Sequence, residues 1–314
     1  MKLDRSLKEK YKTLQKSYKK AVKEHLKSYE ATISKSRNKN LFHSYVKKKL
    51  KFPSYSPPLL NSDGTILLNP EEKANTLNSL FSSIFTNDTS LSTPKLTPWK
   101  SEFDSMTPVT ITRKDIVDAI CSLKSTVSRT PDEIPCLFFK KTANEISIPL
   151  KIIFTFSLNT GTVPEIWKQA LIVPIFKKGR RNSPENYRPV SLTSVACRIM
   201  EKILHKAITY HLVKNNLLSS CQHGFISKRS TLTQQLSFFE LLTRYQSSKV
   251  NCHATYLDFT KAFDKIPHNK LLHVLAHFKI SQQILNWTRN FLFSRSQHSA
   301  DSCWQLLLRE MLSH

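Results

Sequence analysis

Two short runs carry strand character in this sequence, residues 170–176 and 254–259. Each stands among long stretches whose apolar residues recur every three or four positions. That arrangement excludes an all-β fold and an alternating βαβ sheet, and predicts a helix-rich α+β architecture. Helices are expected over 70–85, 112–124, 142–158, 194–215, 230–247 and 269–279. In the first, Ala74, Leu77, Leu80, Phe81 and Ile84 share a face, and Asn69 before Pro70 reads as an N-cap. The last places Leu271, Leu272, Leu275 and Phe278 inward. Irregular chain is expected over 51–68, with an Asp63-Gly64 turn, and a Ser/Thr/Pro-rich linker over 86–110. No internal repeat is visible.

The first 50 residues carry sixteen Lys/Arg against four acids, within a chain of formal charge +25 and pI near 9.9. A field of that sign attracts polyanions, nucleic acid first and an anionic membrane surface second. Leu3, Leu7, Tyr11, Leu14, Tyr18, Val22, Leu26 and Tyr29 trace one face of a long amphipathic helix. Three readings stay open for it: packing on the body, contact with RNA, or lying on a membrane surface. No apolar run is long enough for a membrane span, and the basic N-terminus lacks the apolar core of a secretory signal. The expected location is intracellular, nucleus or cytoplasm, and not secreted. Six scattered cysteines without a CxxC pair point to reduced, packed thiols and away from zinc or a disulfide framework.

The segment ATYLDFTKAFDKIPH (254–268) ends an apolar strand on an acid, Asp258. A carboxylate there needs a divalent cation, a basic partner, or the simpler duty of capping the next turn. KKGRRNSPENYR (177–188) is a basic loop, and QHGFISKRST (222–231) combines a glycine with cations and hydroxyls. His273 and His277 stand four apart without an intervening Glu, so they read as surface or half-buried imidazoles.

YLDFTKAFDKIPHNKLL resembles the first palm motif of non-LTR (LINE or jockey-like) retrotransposon reverse transcriptases. GTVPEIWKQALIVPIFKKG, NYRPVSLTSVACRIMEKIL and QHGFISKRST resemble three further segments of that family, in the same order. NLFHSYVKKK, SDGTILLNPEEKANTLNSLFSSIFT and TPDEIP resemble what precedes them, so the likeness covers about residues 38–293. It implies right-hand polymerase fingers with the start of the palm, preceded by a basic helical region. The implied division is 1–52 basic helical region, 53–110 linker and helix, 111–297 partial reverse transcriptase domain, and 298–314 a tail without match.

By the same resemblance, Asp258 is the catalytic carboxylate that holds Mg²⁺ in a two-metal site. Phe263 is the ring beneath the incoming sugar that excludes a 2′-hydroxyl, while Asp264 is a local structural acid. Lys177 and Arg188 contact the triphosphate of a deoxynucleoside triphosphate. Lys178, Arg180 and Arg181 are solvated or template-phosphate charges. Gln222, Gly224, Arg229 and Ser230 meet nucleic acid, an RNA template with its DNA primer.

Two departures qualify the likeness. A GPDG turn of the family reads Thr130-Pro131-Asp132-Glu133 here, so a position needing φ > 0 would be strained or rebuilt. After Asp264 the acids are Asp301 and Glu310, and no glycine follows Gly224, so the family's later glycine segment and paired carboxylates have no counterpart. The expectation is therefore a domain truncated before the second metal-binding carboxylate pair and inactive alone. The alternative is a non-catalytic, basic nucleic-acid-binding remnant. Oligomeric state and element clade are not legible.

Overall fold

A computed structural model of the chain describes residues 5–36, 39, 42–43, 45–46, 57–61, 63–86, 94–96, 102–124 and 130–299. Its backbone divides into two units, Met1–Ser56 with Trp304–His314, and Pro57–Cys303. In the first unit, helix α1 runs Arg5–Lys35, beyond the expected end at residue 29. Its apolar stripe at Leu14, Tyr18, Val22, Leu26 and Tyr29 is exposed, and Ile33 is buried.

The second unit begins with a small hairpin, β1 (Leu59–Leu60) and β2 (Ile66–Leu67). The expected Asp63-Gly64 turn closes it: Asp63 Oδ1 accepts from the Thr65 amide at 2.9 Å, and Gly64 has φ +85°. Helix α2 (Pro70–Ser82) starts as expected, with Asn69 Oδ1 accepting from the Glu71 amide at 3.0 Å. Ala74, Leu77 and Phe81 are buried, while Leu80 and Ile84 are half-buried.

Four helices make the core: α3 (Arg113–Cys121), α5 (Ala143–Thr160), α7 (Val195–Lys214) and α10 (Gln282–Leu292). The short helices α4 (Cys136–Lys141) and α6 (Glu165–Lys168) lie between them in sequence. Ile116, Ile120, Phe154, Leu158, Ile199, Met200, Ile284 and Trp287 interlock with little or no exposure. Burial of this kind stabilises by roughly 1.5–3 kcal/mol per large side chain. A polar chain runs through the core: Trp287 Nε1 donates to Ser157 Oγ at 3.0 Å, and Ser157 donates on to the Thr162 carbonyl at 2.6 Å. His211 Nε2 bonds the Phe278 carbonyl at 2.8 Å, joining α7 to the end of α9 (His268–His277). Gly161 ends α5 at φ +68°, and a Cβ there would meet Asn286 Cβ at 3.2 Å.

Strand β3 (Gln169–Phe176) is central in the larger sheet, antiparallel to β4 (Tyr187–Leu192) and parallel to β5 (Ser296–Ser299). Among the described residues the β5 pairing runs from Gln169 to Ile172. Helix α8 (Thr231–Ser247) is capped by Ser230, whose side chain accepts from the Thr233 amide at 3.3 Å. Among its described residues α8 buries none.

The expected strand over 254–259 does not form. The chain there has no regular secondary structure and is exposed, and neither described sheet includes it. A strand is defined by its ladder, and aromatic and β-branched content supplies none without a neighbour. Helix α10 and strand β5 were not expected from the sequence. Among the described residues no helix is long and apolar enough to cross a membrane.

Candidate active site

The β3–β4 hairpin carries the basic loop. In its register Ile175 lies opposite Arg188, and the Lys177 amide donates to the Asn186 carbonyl at 2.8 Å, extending the ladder one step. Lys177 and Ile175 share a face because side chains alternate. Lys177 and Arg188 are thus diagonal neighbours on one face of the hairpin, where such pairs lie about 7–8 Å apart. Both side chains are exposed, and among the described residues neither pairs with a carboxylate.

The loop between them is held. Asn186 Nδ2 donates to the Arg180 carbonyl at 2.9 Å and the Tyr187 hydroxyl to the Arg181 carbonyl at 2.6 Å. The Arg181 guanidinium lies 4.7 Å from the centroid of the Phe176 ring. Burial pushes the Tyr187 phenol above its ordinary value, with the Arg181 charge opposing. Gly179 has φ +89°, and a Cβ would come within 2.7 Å of Asn186 Nδ2, so this turn requires glycine. Of the loop's cations Arg181 is therefore engaged locally.

Asp258 lies on the segment 254–259, exposed to solvent. Two ring contacts anchor that segment: Tyr256 against Phe238 of α8, and Phe263 edge-on to Phe225 at 5.8 Å. The second brings the 222–231 and 254–268 motifs together. Phe263 itself is 75% exposed. Among the described residues no group of three or more His, Cys, Asp or Glu side chains could hold a metal ion. Asp258 belongs to no such group, so the described residues around it do not fit a two-metal site, and no chemical step is routed through one.

In the 222–231 loop Arg229 turns back on the chain. Its Nη1 donates to the carbonyls of Ser220 and of Gln222, the latter at 2.6 Å. Gln222 Nε2 donates to the Gly224 carbonyl at 3.0 Å. Ser230 is the α8 cap. A Cβ at Gly224 would meet nothing closer than Gln222 Nε2 at 3.7 Å. The strained positions are its neighbours Phe225 (φ 63°) and Lys228 (φ 64°).

A cleft of about 890 Å³ opens beside these segments, lined by Phe81, Phe85, Ser191, Asp264, His268 and Arg295 among others. Asp264 is in its wall, but Asp258, Phe263, Lys177 and Arg188 are not. Sequence reasoning missed the link across its floor: Gln297 Nε2 donates to Asn78 Oδ1 at 3.0 Å and Ser82 Oγ at 2.8 Å, fixing α2 to β5. It also missed what Asp132 does. Asp132 accepts from Thr130 Oγ1 at 2.5 Å and from Ser194 Oγ at the start of α7. Glu133 takes φ 55°, so the turn keeps its left-handed residue without a glycine. The signal for that was present in the Thr130–Glu133 departure.

Residues 175–307 match the family model of reverse transcriptase (RNA-dependent DNA polymerase). The chain is similar to a Drosophila melanogaster protein named as a probable RNA-directed DNA polymerase from transposon BS, 27% identical over 229 residues, 70% of this chain and 25% of that protein. It is 29% identical over 151 residues to the RNA-directed DNA polymerase from mobile element jockey of the same fly, 48% of this chain and 16% of that one. The chain is thus similar to the reverse transcriptases of non-LTR retrotransposons. A third relative is the retrovirus-related Pol polyprotein from type-1 retrotransposable element R2 of Popillia japonica, 29% identical over 131 residues, 40% of this chain and 17% of that one. The chain spans about a quarter of the length of the first of these relatives. Lys177, Arg188, the 222–231 loop, Asp258 and Phe263 all fall inside the family match.

Proposed function

We propose that this chain supplies the nucleotide- and template-handling part of an RNA-directed DNA polymerase, the fingers and the start of the palm. The observation that carries the reading is the diagonal pair Lys177 and Arg188, two unpaired cations on one face of a held hairpin. Phosphoryl transfer depends on cations placed against triphosphate oxygens, Lys as a point charge and Arg as a fork. On this reading the ligand at that face is a deoxynucleoside triphosphate, and Phe263 bars the 2′-hydroxyl. Gln222, Gly224, Arg229 and Ser230 border the RNA template and its DNA primer, with Arg229 released from its backbone acceptors on binding. Asp258 offers one carboxylate toward Mg²⁺, and no catalytic step is assigned to it. The intracellular setting of nucleus or cytoplasm belongs to the same proposal.

The test is triphosphate binding by titration calorimetry. Lys177→Ala and Arg188→Ala should each weaken binding by about 10- to 100-fold, because each removes a charge-assisted contact worth roughly 1.5–3 kcal/mol. Both residues are exposed, so unfolding is not expected, and a binding constant unchanged in both variants would overturn the assignment.

A second reading, a non-catalytic nucleic-acid-binding chain, is favoured by the want of a metal-holding cluster around Asp258 among the described residues together with the +25 charge. Primer extension on an RNA template separates the two, since incorporation occurs only under the first.

A further inference from the structure

On the polymerase reading Phe263 bars a 2′-hydroxyl, yet its ring is 75% exposed. An exposed side chain hops between rotamers on a picosecond to nanosecond scale, and a gate works only where its ring is held. The ring that touches it belongs to the preceding motif. Phe225 lies edge-on to Phe263, 5.8 Å between centroids with the planes at 82°, an arrangement that aromatic pairs favour. Three observations set Phe225 apart from an ordinary surface phenylalanine. Its side chain is 90% exposed, so it adds nothing to the core. Its backbone is left-handed (φ 63°), which a ring-bearing residue adopts only at a cost. The loop around it is tied down: Gln222 Nε2 donates to the Gly224 carbonyl at 3.0 Å, and His223 Nδ1 bonds Thr233 Oγ1 of α8 at 2.9 Å. The facing turn is strained in the same way. Lys261 has φ 53°, and its carbonyl accepts from the amides of Asp264 at 3.1 Å and Lys265 at 3.2 Å, closing the turn that carries Phe263. Glycine would accept either backbone freely, and neither position has it. Backbone strain that the surroundings hold in place, with an exposed ring as its product, points to function and away from packing.

We propose that Phe225 is a positioning residue for the sugar gate: its ring buttresses Phe263 and so sets the discrimination between deoxyribo- and ribonucleoside triphosphates. This role rests on the reading of Phe263 as the ring beneath the incoming sugar. Phe225 itself touches no substrate. It removes rotamers that Phe263 would otherwise visit, so that the gating ring stays where a 2′-hydroxyl would have to lie. The strained loop is what delivers Phe225 to that place.

The test is titration calorimetry of the full chain with dATP and with ATP, which differ only at the 2′-position, read as the ratio of the two affinities. The parent should prefer dATP, and Phe263→Ala should abolish the preference. Phe225→Ala should lower the ratio by about two- to tenfold, the range an aromatic pair is worth, through tighter ATP binding. Phe225→Tyr keeps a ring in place and should keep the ratio. In a Phe263→Ala background Phe225→Ala should change nothing further, because it acts through that ring. Phe225→Gly should lower the ratio as alanine does without lowering the urea midpoint, since glycine accepts the left-handed backbone and the lost ring was exposed. Phe239→Ala, an exposed ring outside the pair, should leave the ratio as it is. A ratio lowered by Phe263→Ala but untouched by Phe225→Ala overturns this role and spares the gate. A parent without preference, or a preference that survives Phe263→Ala, overturns the gate reading and this role with it. A urea midpoint that falls in Phe225→Gly along with the ratio would make Phe225 a structural residue and overturn it as well.

Discussion

The four-helix core and the α8 arm are built from sequences of similar apolar content, and they end in opposite states. In α5, α7 and α10, residues at three- and four-residue spacing meet partners on neighbouring helices, and Phe154, Ile199 and Ile284 lose all exposure. In α8, Leu232, Leu236 and Phe239 have the same spacing and remain open. Both regions are helical because helix hydrogen bonds are satisfied within the segment. The neighbouring stretch 254–259 shows the other half of the lesson, since a strand cannot satisfy its own backbone. Local pattern decides helix formation, whereas burial and strand formation need a second element.

Truncating a core ring against an arm ring tests that contrast with the largest expected effect. Trp287→Ala removes a buried indole and its bond to Ser157, and should destabilise by about 3–5 kcal/mol in urea titration. Phe239→Ala, on the exposed stripe, should stay within about 0.5 kcal/mol. Comparable losses in the two variants would mean that the arm is packed in solution.

Two glycines sharpen the same comparison. Gly161 sits at φ +68° with Asn286 close by, so Gly161→Ala adds both backbone strain and a contact, costing about 1–2 kcal/mol. Gly224, in the arm, has neither constraint, and Gly224→Ala should be nearly neutral in the same melts. Equal effects would place Gly224 in a tighter setting than its open surroundings indicate.

The core was largely legible in the sequence, and the arm was legible only in part, for reasons that particular residues make plain. Asn69 and Pro70 mark a helix start through local chemistry, and the structure puts α2 there. Arg188 on β4 and Lys177 just after β3 come together because the hairpin is sequentially local. Helix α10 lay outside the expected helices although Ile284, Trp287 and Phe291 carry its spacing. Strand β5 pairs with β3 across more than a hundred residues, and nothing in SQHS declares that partner. The Arg229 side chain turns onto its own loop's carbonyls, a choice set by backbone geometry that composition does not encode.

At the rim of the core, the turn at Thr130–Glu133 gives a smaller effect with the opposite sign. Glu133 holds φ 55°, a left-handed conformation that costs a side-chain-bearing residue about 1 kcal/mol relative to glycine. Glu133→Gly should therefore stabilise by up to about 1 kcal/mol, less what glycine gains in the unfolded chain. The bonds of Asp132 to Thr130 and Ser194 do not involve the Glu133 side chain, so they should survive. A loss of stability in thermal melts would assign that side chain a contact of its own.

The smallest effect concerns charge, and it again sets core against arm. Asp258 is exposed, whereas Glu201 on α7 is half-buried beside the core, where Cys197 Sγ lies 3.8 Å from its Oε1. Burial raises the Glu201 carboxyl above its ordinary value, and the charges of Arg295 and Arg198 and the Cys197 thiol only partly offset this. A raised acid keeps its proton in the folded state over a pH range where the unfolded chain has lost it. Proton linkage then makes stability fall as pH rises above the ordinary glutamate value, until the folded group ionises as well. Glu201→Gln copies the protonated form and should abolish that slope. The urea midpoints of variant and parent should nearly coincide at about pH 4, with the variant drawing ahead toward about pH 7. Repulsion among the remaining basic charges is common to both proteins and cancels in the difference. A gap that stayed constant across that range would mean that Glu201 ionises as freely folded as unfolded, with Arg295 and Arg198 compensating its burial in full.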